Sequence, residues 1–275
     1  MIYTLTMNPA IDYITTLPEL NGGAVNRSSG GEFRAAGKGI NVSAALNGLG
    51  VENVALYVCG KGFFCDKFKS LIRADGLKTV QITSGGCDMR LNIKLCHGDF
   101  VTEINESFSV DENAAARVRE SLLQPNNGDI VAICGSLPLG IDDNFYASVA
   151  AELAARGIKV IIDTSGQPLV EVVKSGNAWL IAPNRYELCE LENVGVELTA
   201  GKPNVLATFG KDGATLTTAD NVYTRRPARV ESGYAVGAGD NLLAGFIAAY
   251  INDNDYEKAL SAGIEYAAGY VAGKR

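Results

Sequence analysis

The chain has 275 residues, of which 47% are hydrophobic and 20% are charged, and this composition is typical of an ordinary soluble globular protein. Its net charge of −7 argues against a nucleic-acid-binding protein, although a local basic pocket could still hold an anionic substrate. The chain shows no signal peptide or membrane-spanning apolar run, and its six cysteines include no C-x-x-C pair. We therefore expect a cytoplasmic protein with reduced core thiols that binds neither nucleic acid nor a membrane.

The first segments of the chain predict two strands and then a glycine-rich helix start. Residues 1–8 predict a strand with Asp12 just beyond its carboxyl end, and residues 13–17 predict a second short strand. Residues 36–46 place a glycine on each side of Lys38 before an apolar helix. The segment is not a Walker A loop, because the upstream glycine and the Ser/Thr after the lysine are missing. It fits either a cationic ligand site or an ordinary helix start with a solvated lysine.

Residues 51–59 predict a strand, residues 60–74 a helix and residues 80–82 a further strand. A strand with strictly alternating polar and apolar residues comes next. Residues 89–95 place Arg90 and Lys94 on one face, and residues 100–104 predict the returning strand of a hairpin. The hairpin either presents two cations to a site or has an ordinary solvated face.

Helices and strands alternate in the second half of the chain. They are predicted at residues 113–123, 129–134, 145–156, 159–163, 168–174, 178–182 and 204–209, before a hairpin at 214–224 and a last helix at 256–272. Such alternation predicts a parallel sheet that is covered on both faces and binds ligands beyond the carboxyl ends of its strands. Two early hairpins, at about residues 12–34 and 89–104, do not fit the alternation, and we expect them to form a smaller β layer that could cover the site.

A second glycine-rich turn precedes the apolar helix of residues 241–250. Gly237, Ala238 and Gly239 have almost no side chain, so their backbone amides at a helix start could bind an anion such as a phosphate. Asp240 follows them. It could either cap the helix or accept a proton from a group that attacks the phosphate, and the motif on its own favours the cap.

Several of these motifs together resemble the ribokinase-like, PfkB-type carbohydrate kinases. The matching segments occur in the family's order, at residues 8–12, 37–42, 90–94, 102–106, 135–138, 183–187 and 237–240. The resemblance implies an α/β fold: a three-layer α/β/α sandwich with a mostly parallel sheet plus a small β-sheet lid. It assigns residues 1–11, 36–87 and 106–275 to the kinase core and residues 12–35 and 88–105 to the lid. Residues 188–204 form a shorter segment than in relatives, and residues 198–202 within it have a weak helical pattern, so either the helix of the family is short here or residues are absent.

The resemblance also implies a reaction, in which ATP with Mg²⁺ phosphorylates a ketohexose phosphate. The expected substrate is fructose 1-phosphate, and the expected product is fructose 1,6-bisphosphate. The alternatives are tagatose 6-phosphate as the substrate, a ribose or nucleoside kinase, and a non-catalytic sugar or nucleotide sensor on the same fold. The family further suggests a homodimer, which the exposed lid strands could form by pairing with a second subunit.

The site residues follow from the same motifs. Asp240 would be the catalytic base, and the amides of Gly237, Ala238 and Gly239 would form an anion hole for the phosphoryl group in transfer. The predicted contacts to the sugar phosphate are Asp12, Arg27, Gly37, Lys38, Gly39, Asn41, Arg90 and Ser136. The predicted nucleotide contacts are Asn184, Glu187, Thr208, Gly210, Lys211 and Gly213, and Asn184 and Glu187 would also hold Mg²⁺.

Overall fold

Two sheets of different size organise the part of the chain that the computed structural model describes, residues 1–85, 88–98, 100–196, 198, 203–228 and 236–273. The strands are β1 (Ile2–Thr6), β2 (Ala10–Leu17), β3 (Gly31–Ala36), β4 (Asn53–Cys59), β5 (Thr79–Thr83), β6 (Arg90–His97), β7 (Phe100–Asn105), β8 (Ile130–Cys134), β9 (Lys159–Asp163), β10 (Leu180–Ile181), β11 (Asn204–Thr208), β12 (Ala214–Thr217) and β13 (Val222–Arg225). The helices are α1 (Lys38–Gly48), α2 (Phe63–Ala74), α3 (Ala114–Ser121), α4 (Phe145–Ala155), α5 (Gly166–Ser175), α6 (Arg185–Asn193), α7 (Ala238–Asp253) and α8 (Tyr256–Val271).

The larger sheet has the order β13-β12-β11-β10-β9-β8-β1-β4-β5. All neighbouring pairs from β11 to β5 are parallel, whereas β12 and β13 are antiparallel additions at one edge. Every residue of β4 and β8 is buried, as expected for apolar strands with helices on both faces. The predicted mostly parallel sheet is therefore confirmed.

Alternate residues of the sheet contact different helix layers. In β4, Leu56 and Val58 belong to the core cluster that contains residues of α3 to α6. Ala55 and Tyr57 point the other way and pack in the cluster with α2. Helices α1, α7 and α8 share a third cluster with Ala132 of β8. This arrangement gives the three layers of the predicted α/β/α sandwich.

The smaller sheet has the order β3-β2-β6-β7 and combines the two early hairpins. Strands β2 and β6 are parallel, and the two outer pairs are antiparallel. Strand β2 begins at Ala10, earlier than predicted, because Ala10 pairs with both Ala36 and Arg90. This pairing places Asp12 opposite Asn92.

Helix α6 covers the first part of the short segment 188–204. It forms because the Asn184 side chain accepts hydrogen bonds from the amides of Tyr186 and Glu187, and Glu187 accepts one from the amide of Asn184. This capping box satisfies the open end of the helix. Residue 197 and residues 199–202 of the same segment lie outside the described residues.

The expectation that all six cysteines are reduced is wrong for one pair. Cys59 at the end of β4 and Cys65 in α2 are joined as a disulfide, with Cα atoms 6.3 Å apart. The tight connection from β4 to α2 brings them together, a proximity that the linear spacing did not indicate. Cys96, Cys134 and Cys189 are free, and Cys87 lies outside the described residues. None of the helices in the described ranges is long and apolar enough to cross a membrane.

Candidate active site

A cavity of about 1550 Å³ lies between the carboxyl ends of the larger sheet and the smaller sheet. Its floor includes residues two or three positions beyond the ends of β1, β8, β9, β10 and β11, namely Asn8, Ser136, Ser165, Asn184 and Gly210. Ligands of open parallel sheets bind at this edge, so the cavity lies where the strand pattern predicts a site.

Most of the predicted site residues line this one cavity. They are Asp12, Gly37, Lys38, Asn41, Arg90, Ser136, Asn184, Glu187, Thr208, Gly210, Lys211, Gly213, Gly237, Ala238, Gly239 and Asp240. Arg27 is exposed in the connection between β2 and β3 and does not line the cavity. Gly39 is buried beneath the cavity, where an added Cβ would lie 2.5 Å from the Thr6 hydroxyl oxygen. Its small size therefore serves the close approach of α1 to β1.

The start of α7 leaves backbone amides open to the cavity. Gly237 has a φ of 84°, and the Tyr270 hydroxyl fixes the preceding turn by donating to the Val236 carbonyl at 3.1 Å. The first hydrogen bond within the helix runs from the Asn241 amide to the Gly237 carbonyl. The amides before it lack helical acceptors and carry the positive end of the helix dipole, which suits an anion.

Asp240 is the third residue of α7, so the interpretation of this residue as a plain N-cap is wrong. The N-cap is Gly237, and the Asp240 carboxylate accepts a hydrogen bond of 2.7 Å from the Asn41 amide group. Burial is the largest cause that raises the pKa of Asp240 to about 7, and the negative charge of Asp163 adds to it. The Asn41 hydrogen bond and the charge of Lys38 act in the opposite direction. A carboxylate of this kind can exchange a proton near neutral pH.

The start of α1 carries a lysine that is already paired. The Lys38 ammonium lies 2.6 Å from Oδ1 of Asp163, a buried acid at the end of β9. Burial lowers the pKa of Lys38, but the charge of Asp163 and its hydrogen bond outweigh burial, and the net effect raises the pKa. Lys38 is therefore charged throughout the physiological range. The preceding glycine, Gly37, has a φ of 137° and meets Thr6, so an added Cβ would lie 2.7 Å from a Thr6 methyl carbon.

The smaller sheet contributes a second buried group of charges. Asp12 accepts a hydrogen bond of 3.1 Å from Asn92 and lies 2.9 Å from the Lys94 ammonium. Lys94 also lies 3.7 Å from Glu103 on the neighbouring strand β7. Lys94 lines the cavity, but these contacts show that it is not the open cation that the strand alternation suggested.

Arg90 faces the cavity from the same strand and is held by carbonyl groups. Its guanidinium donates to the carbonyls of Asn8 at 2.9 Å, Pro9 at 3.3 Å and Glu106 at 3.5 Å. Burial lowers the pKa of Arg90, and the nearby carboxylate of Asp12 opposes that change. These bonds fix the planar group in one orientation, and a fixed guanidinium suits a phosphate.

The opposite end of the cavity contains the capping box of α6. Glu187 is buried, and burial raises its pKa while the charge of Lys38 opposes the change. Its Oε2 atom accepts from the Asn184 amide, which leaves Oε1 outside the capping box. Mg²⁺ prefers carboxylate oxygens, so Oε1 of Glu187 fits this ion, whereas the Asn184 side-chain oxygen already accepts from the amides of Tyr186 and Glu187. No group of three or more His, Cys, Asp or Glu within the described residues could hold a metal ion, so substrate phosphates and water would have to complete the coordination.

The last part of the cavity wall is the turn after β11. Residues Gly210–Asp212 form a short 3-10 helix, and Gly213 has a φ of 99°. A Cβ at Gly213 would overlap the carbonyl oxygen of Arg225, so no larger residue fits there. Arg185 pairs with Asp212 at 2.7 Å and lies over the Phe209 ring.

Several cavity residues were not among the predicted contacts, and three of them form hydrogen bonds or ion pairs inside the site. Asp163 is the acid that ends the predicted strand of residues 159–163, and its place beside Lys38 requires the three-dimensional fold. Asn92 alternates with Arg90 on β6, which was a usable signal for it. Asn8 shares a hydrogen bond of 3.0 Å with Ser136, a contact between segments that are distant in the sequence.

A family model, two sequence relatives and a solved structure that match this chain all describe carbohydrate or sugar-phosphate kinases. The model of the pfkB family of carbohydrate kinases matches residues 2–274. A 1-phosphofructokinase of Borreliella burgdorferi is 34% identical, with 96% of this chain and 89% of that protein covered. The 1-phosphofructokinase of Bacillus subtilis is 31% identical, with 96% and 90% covered. A crystal structure of phosphofructokinase-2 from Escherichia coli, in complex with substrates and products, has a TM-score of 0.88 and 25% identity, with 98% of this chain and 93% of that chain covered.

Proposed function

Because this chain belongs to the pfkB family of carbohydrate kinases, we propose that it transfers the γ-phosphate of ATP to fructose 1-phosphate and forms fructose 1,6-bisphosphate. The enzyme is a phosphotransferase with an alcohol group as acceptor. The choice of substrate is supported by relatives of 31 to 34% identity that are 1-phosphofructokinases.

The observation that carries the proposal is the pairing of a base with an anion site at one helix start. The Asp240 carboxylate and the amides of Gly237, Ala238 and Gly239 belong to the same turn and line the same cavity. Phosphoryl transfer depends mainly on positioning and on electrostatic stabilisation of the transferring group. This turn supplies a proton acceptor and a positive dipole within a few ångströms of each other.

Asp240 would accept the proton of the attacking sugar hydroxyl. Asn41 donates to one carboxylate oxygen, Oδ2, which leaves Oδ1 to face the hydroxyl. The raised pKa of about 7 keeps the carboxylate basic enough to take a proton at neutral pH. The amides of the anion hole would at the same moment bind the oxygens of the phosphoryl group, whose charge they stabilise.

The phosphate that the sugar already carries would bind at the side of the smaller sheet. Arg90 is the best-placed cation, because the carbonyls of Asn8 and Pro9 hold its guanidinium at the cavity wall. Lys38, Asp12, Gly37 and Ser136 line the same region and would contact the sugar or its phosphate. The predicted roles of Arg27 and Gly39 stay predictions.

ATP would occupy the part of the cavity beside β11 and α6. Thr208, Gly210 and Gly213 offer a turn with little side chain, and Lys211 offers a charge for the nucleotide phosphates. Glu187 would hold Mg²⁺ through Oε1 together with these phosphates, and Asn184 would position Glu187 through the capping box. The predicted role of Asn184 as a direct ligand stays a prediction. When bound, Mg²⁺ neutralises charge on the nucleotide phosphates.

The smaller sheet would act as a lid and as a dimer contact. We assign residues 12–35 and 88–105 to this lid. Its side chains include the exposed Phe33, Phe100 and Ile104, with 72% exposure at Phe100. Within the described residues β3 and β7 are the outer strands of this sheet, and outer strands commonly pair with another chain. Sedimentation equilibrium should therefore show a homodimer that Phe100→Glu weakens. A cytoplasmic location stays a prediction.

The proposed reaction is tested by ADP release with a panel of acceptors. The panel contains fructose 1-phosphate, tagatose 6-phosphate, fructose 6-phosphate, ribose and a nucleoside, and Asp240→Asn is the inactive control. The proposal predicts the highest kcat/KM for fructose 1-phosphate. A preference for tagatose 6-phosphate would correct the substrate. Sugar binding without any ADP release would indicate a non-catalytic sensor and would overturn the proposal.

A further inference from the structure

The first turn of α1 connects two buried acids of the active-site cavity. Lys38 at its start lies 2.6 Å from Asp163, and Asn41, three residues later, donates to Asp240 at 2.7 Å. Asp163 is 5% and Asp240 6% exposed, so both carboxylates are largely shielded from water. They come from separate elements, β9 and α7, and α1 joins them.

An isolated acid in the position of Asp163 would be unfavourable, because a buried charge without a partner is costly. The positive charge of Lys38 compensates the buried negative charge of Asp163, and the ion pair in turn holds the lysine side chain in place. A long, flexible lysine side chain at a helix start would otherwise sample many rotamers. The short bond to a fixed strand end restricts the ammonium to one place at the cavity wall, on the same helix turn as the residue that orients Asp240.

We propose, on the basis of the proposed kinase function, that Asp163 is a positioning residue for phosphoryl transfer. It fixes the Lys38 ammonium at the wall of the cavity that Asp240 also lines, so that the base and a positive charge keep a constant arrangement in the reaction. Asp163 itself would contact neither the sugar nor the phosphate. Its effect on the reaction passes through Lys38 and through its own charge.

The charged groups that face Asp240 come from several elements. Asp163 at the end of β9 raises the pKa of Asp240, after the larger effect of burial, whereas Lys38 on α1 and Lys94 on β6 lower it. Cys134 at the end of β8 is neutral, because burial raises the pKa of its thiol well above the ordinary value. The negative charge of Glu187 on α6 raises the pKa of Lys38.

The arrangement predicts opposite effects from the two members of the pair. Asp163→Asn removes a negative charge and frees the ammonium to approach Asp240, so the pKa of Asp240 should fall. Lys38→Met removes a positive charge and leaves Asp163 unpaired, so the pKa of Asp240 should rise. A pair that only stabilised the fold would shift this pKa through the same two charges, but it would leave kcat of the folded Asp163→Asn protein unchanged. The fall in kcat is therefore the result that assigns the positioning role.

The test measures the pKa of Asp240 in two ways for the wild type, Asp163→Asn, Lys38→Met and the conservative variant Lys38→Arg. Carboxyl carbon NMR titration of the free protein, with the signal assigned through Asp240→Asn, needs no activity. The acid limb of kcat/KM against pH reports the same group in the free enzyme. Glu52→Gln is the control, because it breaks another lysine–acid pair, Lys78–Glu52 at 2.9 Å, outside this cavity.

We expect Asp163→Asn to move the midpoint down and Lys38→Met to move it up, each by about one pH unit, since charges within a few ångströms have effects of this size. kcat should fall by about tenfold or more in both, and Lys38→Arg should recover part of it. Midpoints that stay with the wild type in an active enzyme, or an unchanged kcat in the folded Asp163→Asn protein, would overturn the inference. An inactive wild type with shifted NMR midpoints would instead refute the proposed kinase function.

Discussion

Replacing Asp240 by asparagine should separate activity from stability. The substitution keeps the size of the side chain and an oxygen that can accept from Asn41, but it removes the proton acceptor. Because a positioned general base contributes about 10²- to 10⁴-fold, kcat should fall by that factor. The fold should persist, since the start of α7 depends on Gly237 and Tyr270 rather than on the Asp240 carboxylate.

The same substitution should stabilise the protein at neutral and alkaline pH. The pKa of Asp240 rises from 3.8 in the unfolded chain to about 7 in the folded one, mainly because the charge is buried. Between these values the unfolded chain loses the proton while the folded protein keeps it, so the free energy of unfolding falls by about 1.4 kcal/mol for each pH unit. The wild type therefore loses about 4 kcal/mol as the pH rises through this window, and Asp240→Asn avoids that loss.

Urea unfolding at several values between about pH 4 and pH 8 measures this difference. Trp179 is the single tryptophan, and its contact with Tyr250 at 4.8 Å makes its fluorescence a probe of the folded core. Asp220→Asn is the matched control, because Asp220 is exposed in the turn between β12 and β13. It should change neither activity nor stability.

Two results would refute this reasoning. Full activity of Asp240→Asn would remove Asp240 as the base. A stability difference between the variant and the wild type that stays constant across the pH range would show that the carboxylate is not held in a proton-retaining environment.

Further substitutions test other parts of the site. Gly213→Ala should destabilise the protein by about 2 kcal/mol or more, because φ is 99° at this position and the added Cβ would meet the Arg225 carbonyl. Gly210→Ala has a φ of 60° and open space around the Cβ, so it should cost only about 1 kcal/mol. Thermal unfolding compares the two variants, and equal losses would contradict the steric argument. Gly239→Ala should leave the melting temperature unchanged or slightly raised, because no atom lies within 4 Å of the added Cβ. The methyl group would enter the anion hole, so kcat should fall. Unchanged kinetics would argue against an anion hole at this turn. Arg90→Lys should raise KM for the sugar phosphate by about tenfold with little change in KM for ATP, because a lysine cannot reproduce the hydrogen bonds to the Asn8 and Pro9 carbonyls. Equal changes in both KM values would contradict the assignment of Arg90 to the sugar phosphate.

The layers of the fold were predictable because the pattern of the larger sheet is local. Strands such as β8 and β9 are continuous apolar runs, and the helices between them have clear periodicity. The boundaries of β2 and the presence of α6 were harder to predict from the sequence. The first depends on pairing with β6, which lies about 80 residues away, and the second on a capping box rather than on an apolar stripe.

The site was predictable as a set of residues but not as a network of contacts. The motifs indicated Lys38, Arg90 and Asp240, and these residues line one cavity. Their partners could not be deduced from spacing, because Asp163 and Asn41 reach them from distant segments. The expectation of open cations for a phosphate was consequently too simple, since the fold has already paired Lys38 with an acid and fixed Arg90 to carbonyl groups.

The central claim is that this cavity transfers a phosphoryl group from ATP to the free primary hydroxyl of fructose 1-phosphate. Phosphorus NMR of a mixture of enzyme, Mg²⁺, ATP and fructose 1-phosphate tests it directly, because each phosphate has its own signal. We predict that ADP and a second sugar phosphate ester appear together in equal amounts, and that neither appears with Asp240→Asn. Release of inorganic phosphate without a new ester, or no consumption of ATP, would contradict the account.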